Sequence, residues 1–373
     1  MLRGIAALLV VLHHFTTVMW TPPYAIENII NMPSPVFSGG FVAGLRAVDA
    51  IIQPFYLGFE YWGALGVALF FLISGFVIPF TLLHTGRRTF LLGRFWRLWP
   101  TYASGLAVVV LTLALTSTLS ERTPEFDIGK IALHLVFAGD VSGPFSIDAV
   151  SWTLAIETRF YILCALLMPL LRRSDIYGLA LTGACLLTAA AGVGIWCTDD
   201  NAHMPLAYIW PAIATGRTLC MMIFMLIGVA FNFYYRDAIT LPQLVLGICW
   251  LFALFCGAYF IGPWSQGMES YIVVYGYALL LFALAFVTRR AWRCPSWLDG
   301  LARISYPLYI MHAVCGYAVI NILVMHGVNP ALAFGAALCI VIGLAWIIHR
   351  WVETPTHDYA RRLMGRDKTS KAL

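Results

Sequence analysis

RGIAALLVVLHHFTTVMW, residues Arg3 to Trp20, decides how this chain has to be read. Residues 4–12 are all apolar or glycine; two imidazoles, His13 and His14, follow, and mostly apolar residues come after them. On a helix rising about 1.5 Å per residue, His14 lies roughly 16 Å from Arg3, near the middle of a ~30 Å hydrocarbon core. Their separation is close to three helical turns, so the two side chains share a face. An ionisable group at that depth is expensive unless it faces the protein interior or water. The stretch therefore predicts a membrane span carrying part of a functional site, with a partner on another segment.

The rest of the composition agrees. The 373 residues are 61% hydrophobic, 14% aromatic and 11% charged, which excludes a soluble domain of this size. Apolar stretches long enough to span a bilayer recur from end to end. The nine cysteines sit mostly in apolar runs at irregular spacing and without a CxxC pair. They read as small buried hydrophobes, not as a disulfide framework or a zinc site, and no metal is expected. No cleavage signal follows the first apolar run, and its abrupt start suggests a short cytoplasmic lead before it. Nothing in the chain predicts a nucleic-acid partner.

About ten spans are expected, at roughly 4–22, 61–83, 95–117, 151–171, 176–197, 211–233, 241–262, 270–288, 301–325 and 329–351. The sixth and eighth are the least sharply marked, because of Pro205, Pro211 and Gly276. Alternating the loops gathers Arg3, Arg87, Arg88, Arg94, Arg97, Arg172, Arg173, Arg236, Arg289, Arg290, Arg293, Arg303, Arg350 and the basic tail on one side. Only Arg46, Arg122, Lys130 and Arg217 fall on the other. The positive-inside rule then places both termini in the cytoplasm. The fold class is thus all-α, a polytopic transmembrane bundle over residues 1–353 with a short basic tail, 354–373, poised to touch anionic lipid. Two long outer loops, 23–60 and 118–150, are expected to meet water. The second carries Glu121, Glu125, Asp127, Asp140 and Asp148 and is a candidate lid or acceptor site.

Several polar groups interrupt the apolar spans. The second span contains Gly66 and Gly75, which let another helix or a ligand approach, and Ser74. Arg94 and Arg97 share a face at the mouth of the third span, between Phe95, Trp96, Trp99 and Pro100, and guanidinium suits phosphate. The fourth span holds one carboxylate, Glu157, on the same face as Tyr161 and off the face of Arg159. A partner from another helix is therefore expected for it. In the ninth span Ser305, Tyr309 and His312 form one polar stripe, the lining of a cavity. Glu353, before Pro355, reads as structural.

The chain lacks GxxxxGK[ST], HExxH and GxSxG, so ATP-driven pumping, a zinc protease and a hydrolase elbow are not indicated. Two readings remain. A buried imidazole, a buried carboxylate and a cytoplasmic arginine cluster suit an enzyme that takes a group from a phosphorylated cytoplasmic donor and delivers it across the membrane. They equally suit a proton-coupled transporter with His14 and Glu157 as relay groups.

The order of the motifs carries a resemblance. Arg3 with His14, then Phe70-Phe71-Leu72-Ile73-Ser74-Gly75-Phe76, Arg94-x-x-Arg97 with Pro100, Trp152-x-Leu154-x-x-Glu157-x-x-Phe160-Tyr161, Ser305-Tyr306-x-x-Tyr309-x-x-His312 and Glu353-x-Pro355 run through nearly the whole chain. In this the chain resembles membrane-bound acyltransferase family 3, the O-acetyltransferases of bacterial surface polysaccharides, Nod factors and macrolides. The resemblance implies a ten-helix core in the bacterial inner membrane. It implies acetyl-CoA or another acyl-CoA as donor and a hydroxyl, usually of a saccharide or glycoside, as acceptor. His14 would be the essential imidazole, either general base or acyl carrier, and Arg3 shares its motif. Arg94 and Arg97 would meet donor phosphates, and Glu157 would be a catalytic or orienting carboxylate. Ser74, Tyr161, Ser305, Tyr309 and His312 would complete the donor and acceptor surfaces, with Tyr309, Ser74 or an arginine at the oxyanion. Some relatives carry a fused esterase-like domain, for which these 373 residues leave no room. Two departures stand out: Thr158-Arg159 follows Glu157 where relatives often have an uncharged or acidic pair, and Ala68 stands where they often have Asp. Either is expected to change the charge or acceptor of the pocket.

Overall fold

Backbone polar groups in lipid have no water to bond, so an apolar chain crosses as helices. The computed structural model describes residues 1–20, 23–34, 40–124, 126–143, 147–198, 204–262, 269–291 and 294–363, and among the described residues there is no strand. In chain order the helices are α1 (Leu2–Thr16), α2 (Pro23–Ile30), α3 (Gly40–Ile52), α4 (Phe59–Leu82) and α5 (Arg87–Leu119). They continue with α6 (Ile128–Leu135), α7 (Trp152–Leu166), α8 (Met168–Arg173), α9 (Ile176–Thr198) and α10 (Leu206–Tyr235). The last are α11 (Leu241–Ile261), α12 (Glu269–Val287), α13 (Ser296–Met325), α14 (Pro330–Ile348), a π-helical turn (His349–Glu353) and α15 (Thr354–Leu363).

Each of the ten expected spans is helical, and eight stretches are long and apolar enough to cross a membrane: α4, α5, α9, α10, α11, α12, α13 and the run from α14 to α15. The sixth and eighth spans run unbroken through Pro211 and Gly276. The first and fourth differ from expectation. Both α1 and α7 are 15 residues long, about 22 Å at 1.5 Å per residue and short of the hydrocarbon core. The expected fourth span breaks at Leu167 and resumes as α8, because Pro169 donates no N–H and crowds the carbonyl four residues back. Helix α1 stops within the β-branched run Thr16-Thr17-Val18, at Thr16.

The short helices survive because the long ones surround them. Helix α1 packs on α4 and α13, α4 on α10 and α12, and α13 on α5 and α14. In the most apolar windows of α4, α10 and α13, 67%, 72% and 72% of residues are buried, against 22% to 39% in α5, α9, α11, α12 and the α14–α15 run. The first three are thus the interior of the bundle and the others its lipid-facing rim.

Gly75 and Gly228 set how closely α4 meets α10. A Cβ on Gly75 would strike the Met225 carbonyl, and one on Gly228 the Leu72 carbonyl. The obstacle is backbone on both sides, so no side chain can turn away. Gly75→Ala is expected to cost about 1–3 kcal/mol, read as a lowered thermal midpoint in detergent. Gly335→Ala, with nothing within 4 Å of the added carbon, should cost nothing. Equal midpoints for the two variants would show that the crossing is slack.

The long loops are less open to water than expected. Residues 23–60 hold α2 and α3, with Ile26 and Ile30 of α2 wholly buried. In the second loop Asp140 and Asp148 are buried. Asp140 takes Nη1 and Nη2 of Arg159 at 2.6 and 2.8 Å. Asp148 accepts the Tyr102 hydroxyl at 3.1 Å and the N–H groups of Val150 and Ser151, which pins the entry to α7. Asp127 caps α6. Of the tail, Thr354–Leu363 is α15, packed along α5. Glu125 and the tail residues Arg366, Lys368 and Lys371 lie outside the described residues.

Candidate active site

The polar groups found in the sequence gather into two adjoining cavities, not one. The first, about 100 Å³, lies at the Arg3 end of α1. It is lined by Arg3, by Ser74 on α4, Arg94 and Arg97 on α5, Glu157 and Tyr161 on α7, Ser305, Tyr306 and Tyr309 on α13, and Glu353. The second, about 320 Å³, lies at the His14 end. His13 and His14 line it with Gly63, Trp152, Arg217, Tyr259, Tyr271, Tyr275 and Tyr309. Val67 and Tyr309 line both. Arg3 and His14 both face the protein interior, as their spacing required, but three helical turns put them in different chambers.

In the first cavity Glu157 has the cross-helix partner the spacing demanded. Ser74 on α4 donates to its Oε1 at 2.9 Å, and Tyr161 donates to the same oxygen at 2.6 Å. Both donors are neutral hydroxyls, and the guanidinium groups of Arg3, Arg94 and Arg97 line the same cavity. Arg94 is buried. Its Nη2 donates to the Thr81 hydroxyl at 2.9 Å and its guanidinium lies over the rings of Phe90 and Tyr161. Its Nε is buried with no hydrogen-bond partner among the described residues. A buried donor without an acceptor costs about 1–3 kcal/mol, so a ligand oxygen would relieve it. Arg87 and Arg88 are exposed at the start of α5 and line neither cavity.

Glu353 was read from the sequence as structural. It lines the first cavity and accepts from His349 Nδ1 at 2.7 Å within the π-helical turn. Such single π-helical turns are rare and recur at functional sites. The signal was its place beside Pro355 at the end of the motif series.

Three imidazoles meet at the second cavity, two of them in its wall and one behind. The His14 ring stands edge-on to His13 and to His312, with centroids 5.2 and 4.7 Å away. His14 Nδ1 shares a 2.5 Å hydrogen bond with the Tyr317 hydroxyl, and His13 Nδ1 donates to the Phe59 carbonyl at 3.0 Å. His312 was expected to line a cavity together with Ser305 and Tyr309. The structure corrects this. His312 lines neither chamber, is wholly buried, and backs His14. Its Nδ1 faces the carbonyls of Tyr309 and Leu308, which only accept, so that nitrogen carries the proton and Nε2 is a bare acceptor. The stripe on α13 is real, but it is long enough to run from one cavity past the other.

Tyr309 stands at the division. Its oxygen accepts from Thr153 Oγ1 at 2.9 Å, and its own proton points to the Val150 carbonyl at a long 3.5 Å. Arg159, expected to alter the pocket, lines neither cavity; Asp140 and the Thr218 hydroxyl hold it. Ala68 is buried and also lines neither. Sequence reasoning missed Arg217 and Tyr317. Arg217 was counted only as a loop charge, although it falls inside an expected span. Tyr317 sits in an apolar run with nothing to single it out. Among the described residues no group of three or more His, Cys, Asp or Glu is arranged to hold a metal ion.

Helices that cross a bilayer around two polar chambers, one of arginines and two carboxylates and one of imidazoles, define a multi-pass membrane protein built for chemistry or transport within the membrane. The chain belongs to acyltransferase family 3: the family's acyltransferase domain matches residues 1–350, the whole of both chambers except Glu353. It is accordingly a membrane enzyme that transfers acyl groups. Comparisons with curated proteins and with solved structures found no match.

Proposed function

We propose that this enzyme moves an acetyl or other short acyl group from acyl-CoA, bound from the cytoplasm at the Arg3–Arg94–Arg97 chamber, to a hydroxyl of a saccharide or glycoside in the His14 chamber. The membrane is taken as the bacterial inner membrane, with both termini cytoplasmic as the arginine distribution requires. The observation that carries the reading is the pair of chambers sharing Tyr309 and Val67. Arg3, Arg94 and Arg97 lie on one side of that division and His14 on the other.

The size of the first cavity limits what enters it. About 100 Å³ is well under the 300–1,000 Å³ of ordinary ligand pockets. It admits a chain a few atoms wide and excludes a nucleotide. The diphosphate end of the donor would stay at the mouth, near Arg97 and the exposed Arg87 and Arg88, while the thioester arm passes Glu157 towards Tyr309. Arg94 Nε, lacking an acceptor, suits an oxygen on that arm.

In the transfer step the acceptor oxygen attacks the thioester carbonyl, the new C–O ester bond forms and the C–S bond breaks. The hydroxyl proton goes to His14 and from there to the departing thiolate, so the products are ester and free coenzyme A. With Tyr317 holding Nδ1, Nε2 is the nitrogen that takes the proton. Tyr309 is the best-placed donor to the oxyanion, because the residue lines both chambers and its hydroxyl gives up only a long hydrogen bond. Ser74 is already committed to Glu157.

The test is turnover of radiolabelled acetyl-CoA by the full chain in nanodiscs with a glycan mixture from the native envelope. Label in glycan with stoichiometric coenzyme A release is expected. Substrate accumulation in vesicles with no covalent product would instead support the transporter reading, with His14 and Glu157 as proton relays.

A further inference from the structure

Two helices lie in the stretch between α1 and α4, and they are packed differently. Helix α2 sends Ile26 and Ile30 into the core. Helix α3 is amphipathic as well, yet among the described residues none of its side chains joins the core or packs against it. Its main contact is the short turn that follows it, Gln53–Phe55. Val48 and Ile51, three residues apart on one face, are exposed, Ile51 by 71%. Phe55 and Tyr56 continue this uncovered apolar surface. Arg46 lies on the other side of the helix, because steps of two and five residues turn about 200° and 140°.

A helix of 13 residues is marginal in water and owes its stability to burial of its apolar face. The position of α3 says what buries it. Asp49 Oδ1 accepts the N–H of Phe59, the first residue of α4, at 2.7 Å. Helix α4 has 24 residues, about 36 Å, which exceeds the hydrocarbon core, so its first turn stands at the membrane surface. With both termini cytoplasmic, as proposed above, that surface is the outer one. Exposed Phe55 and Tyr56 and half-buried Trp62 gather aromatic rings at the same level, as membrane–water interfaces do. The Asp49 contact also leads inwards. The Phe59 carbonyl accepts from His13 Nδ1 at 3.0 Å, and His13 stands in the chamber wall, edge-on to His14. Two hydrogen bonds therefore run from α3 to the imidazoles.

We propose that α3 lies along the outer leaflet with Val48, Ile51, Phe55 and Tyr56 among the upper acyl carbons, and that this grip on lipid holds the Asp49–Phe59–His13 chain and the chamber wall it supports. The partner is the lipid surface itself. A helix about 20 Å long, apolar on one face and charged on the other, suits the boundary between headgroups and acyl chains. Asp49 and His13 are positioning residues in this arrangement. The lipid contact stands apart from the acyltransferase reading; its effect on turnover rests on that reading.

The experiment puts the full chain into nanodiscs containing a phosphatidylcholine with a diazirine on its upper acyl carbons. After irradiation the labelled residues are mapped by mass spectrometry, and coenzyme A release from acetyl-CoA with envelope glycans is measured on the same samples. Label is expected between Val48 and Tyr56, as on the exposed rim residues Leu181 and Ile195 of α9. Val48→Glu combined with Ile51→Glu should remove that label and lower kcat/KM about tenfold, the size of one lost charge-assisted hydrogen bond. Asp49→Ala should keep the label yet lose as much activity, because it cuts the chain inside the lipid contact. Ala50→Glu, one turn from Arg46 on the exposed polar side, should change neither. A labelled rim with no label between Val48 and Tyr56 overturns the inference. So does label that the two glutamates leave intact, or a cross-link joining α3 of two copies. Full activity in the double variant, or an equal loss in Ala50→Glu, overturns the coupling to the chamber. Labelling needs no turnover, so absence of coenzyme A release from every sample would strike the acyltransferase reading while the label still decides the lipid contact.

Discussion

Replacing His14 with alanine is expected to lower acyl transfer by about 100- to 10,000-fold, the range of a lost general base, while the protein still inserts and purifies as wild type does. The imidazole lines the second cavity, is held at Nδ1 by Tyr317, and stands edge-on between His13 and His312. No other group lining that chamber combines a titratable nitrogen with this support. His13 is tied to the Phe59 carbonyl, and His312 is walled off behind His14. The structural cost of the change is small by comparison. It leaves the Tyr317 hydroxyl without its partner, about 1–3 kcal/mol, in a bundle of many long helices. His14→Asn leaves a polar neighbour for Tyr317 and is expected to fold better yet remain inactive. Coenzyme A release at the wild-type rate from either variant would remove His14 from the mechanism. Acyl label trapped on wild-type protein and absent from both variants would make it a carrier, not a base.

Arg94→Ala is expected to reduce kcat/KM for acyl-CoA by about 10- to 150-fold, mostly through KM. That is the loss of charge-assisted bonds worth about 1.5–3 kcal/mol. The side chain is buried, its guanidinium lies over the Phe90 and Tyr161 rings and bonds Thr81, and its Nε has no hydrogen-bond partner among the described residues. Arg94→Lys should not restore it, because a lysine has neither the planar fork nor the stacking face. Arg87→Ala, at an exposed site, should change KM much less. Titrating acetyl-CoA at saturating acceptor separates these outcomes. A fall in kcat with KM unchanged would move Arg94 from donor binding into the chemical step. Unchanged kinetics would return it to a topological charge.

Much of the site was legible from local spacing. Glu157 and Tyr161, four residues apart, do share a hydrogen bond, and the demand for a cross-helix partner was met by Ser74. Arg3 and His14 both face inwards, and Arg94 and Arg97 face one cavity. What misled was depth. A face is an angular property that a few turns of sequence determine, whereas a chamber also has a position along the axis. Thus Ser305, Tyr309 and His312, one stripe on α13, end up in the first cavity, at the division, and behind the second. The acids of the second outer loop could not be placed for the same reason. Asp140 and Asp148 look like solvent-facing charges until Arg159 and Tyr102 are brought against them.

The sequence by itself determined that this is an all-helical membrane protein, where its eight long apolar helices lie, and which polar residues cannot face lipid. Hydropathy and helical period are properties of consecutive residues, and a bilayer leaves them only one architecture. The tertiary structure alone decided that α1 and α7 are short, that backbone contact at Gly75 and Gly228 sets the α4–α10 crossing, and that the site is two chambers meeting at Tyr309 and Val67. It alone brought Arg217 and Tyr317 to His14's side, since contacts between helices separated by hundreds of residues depend on crossing geometry, which no window of sequence contains.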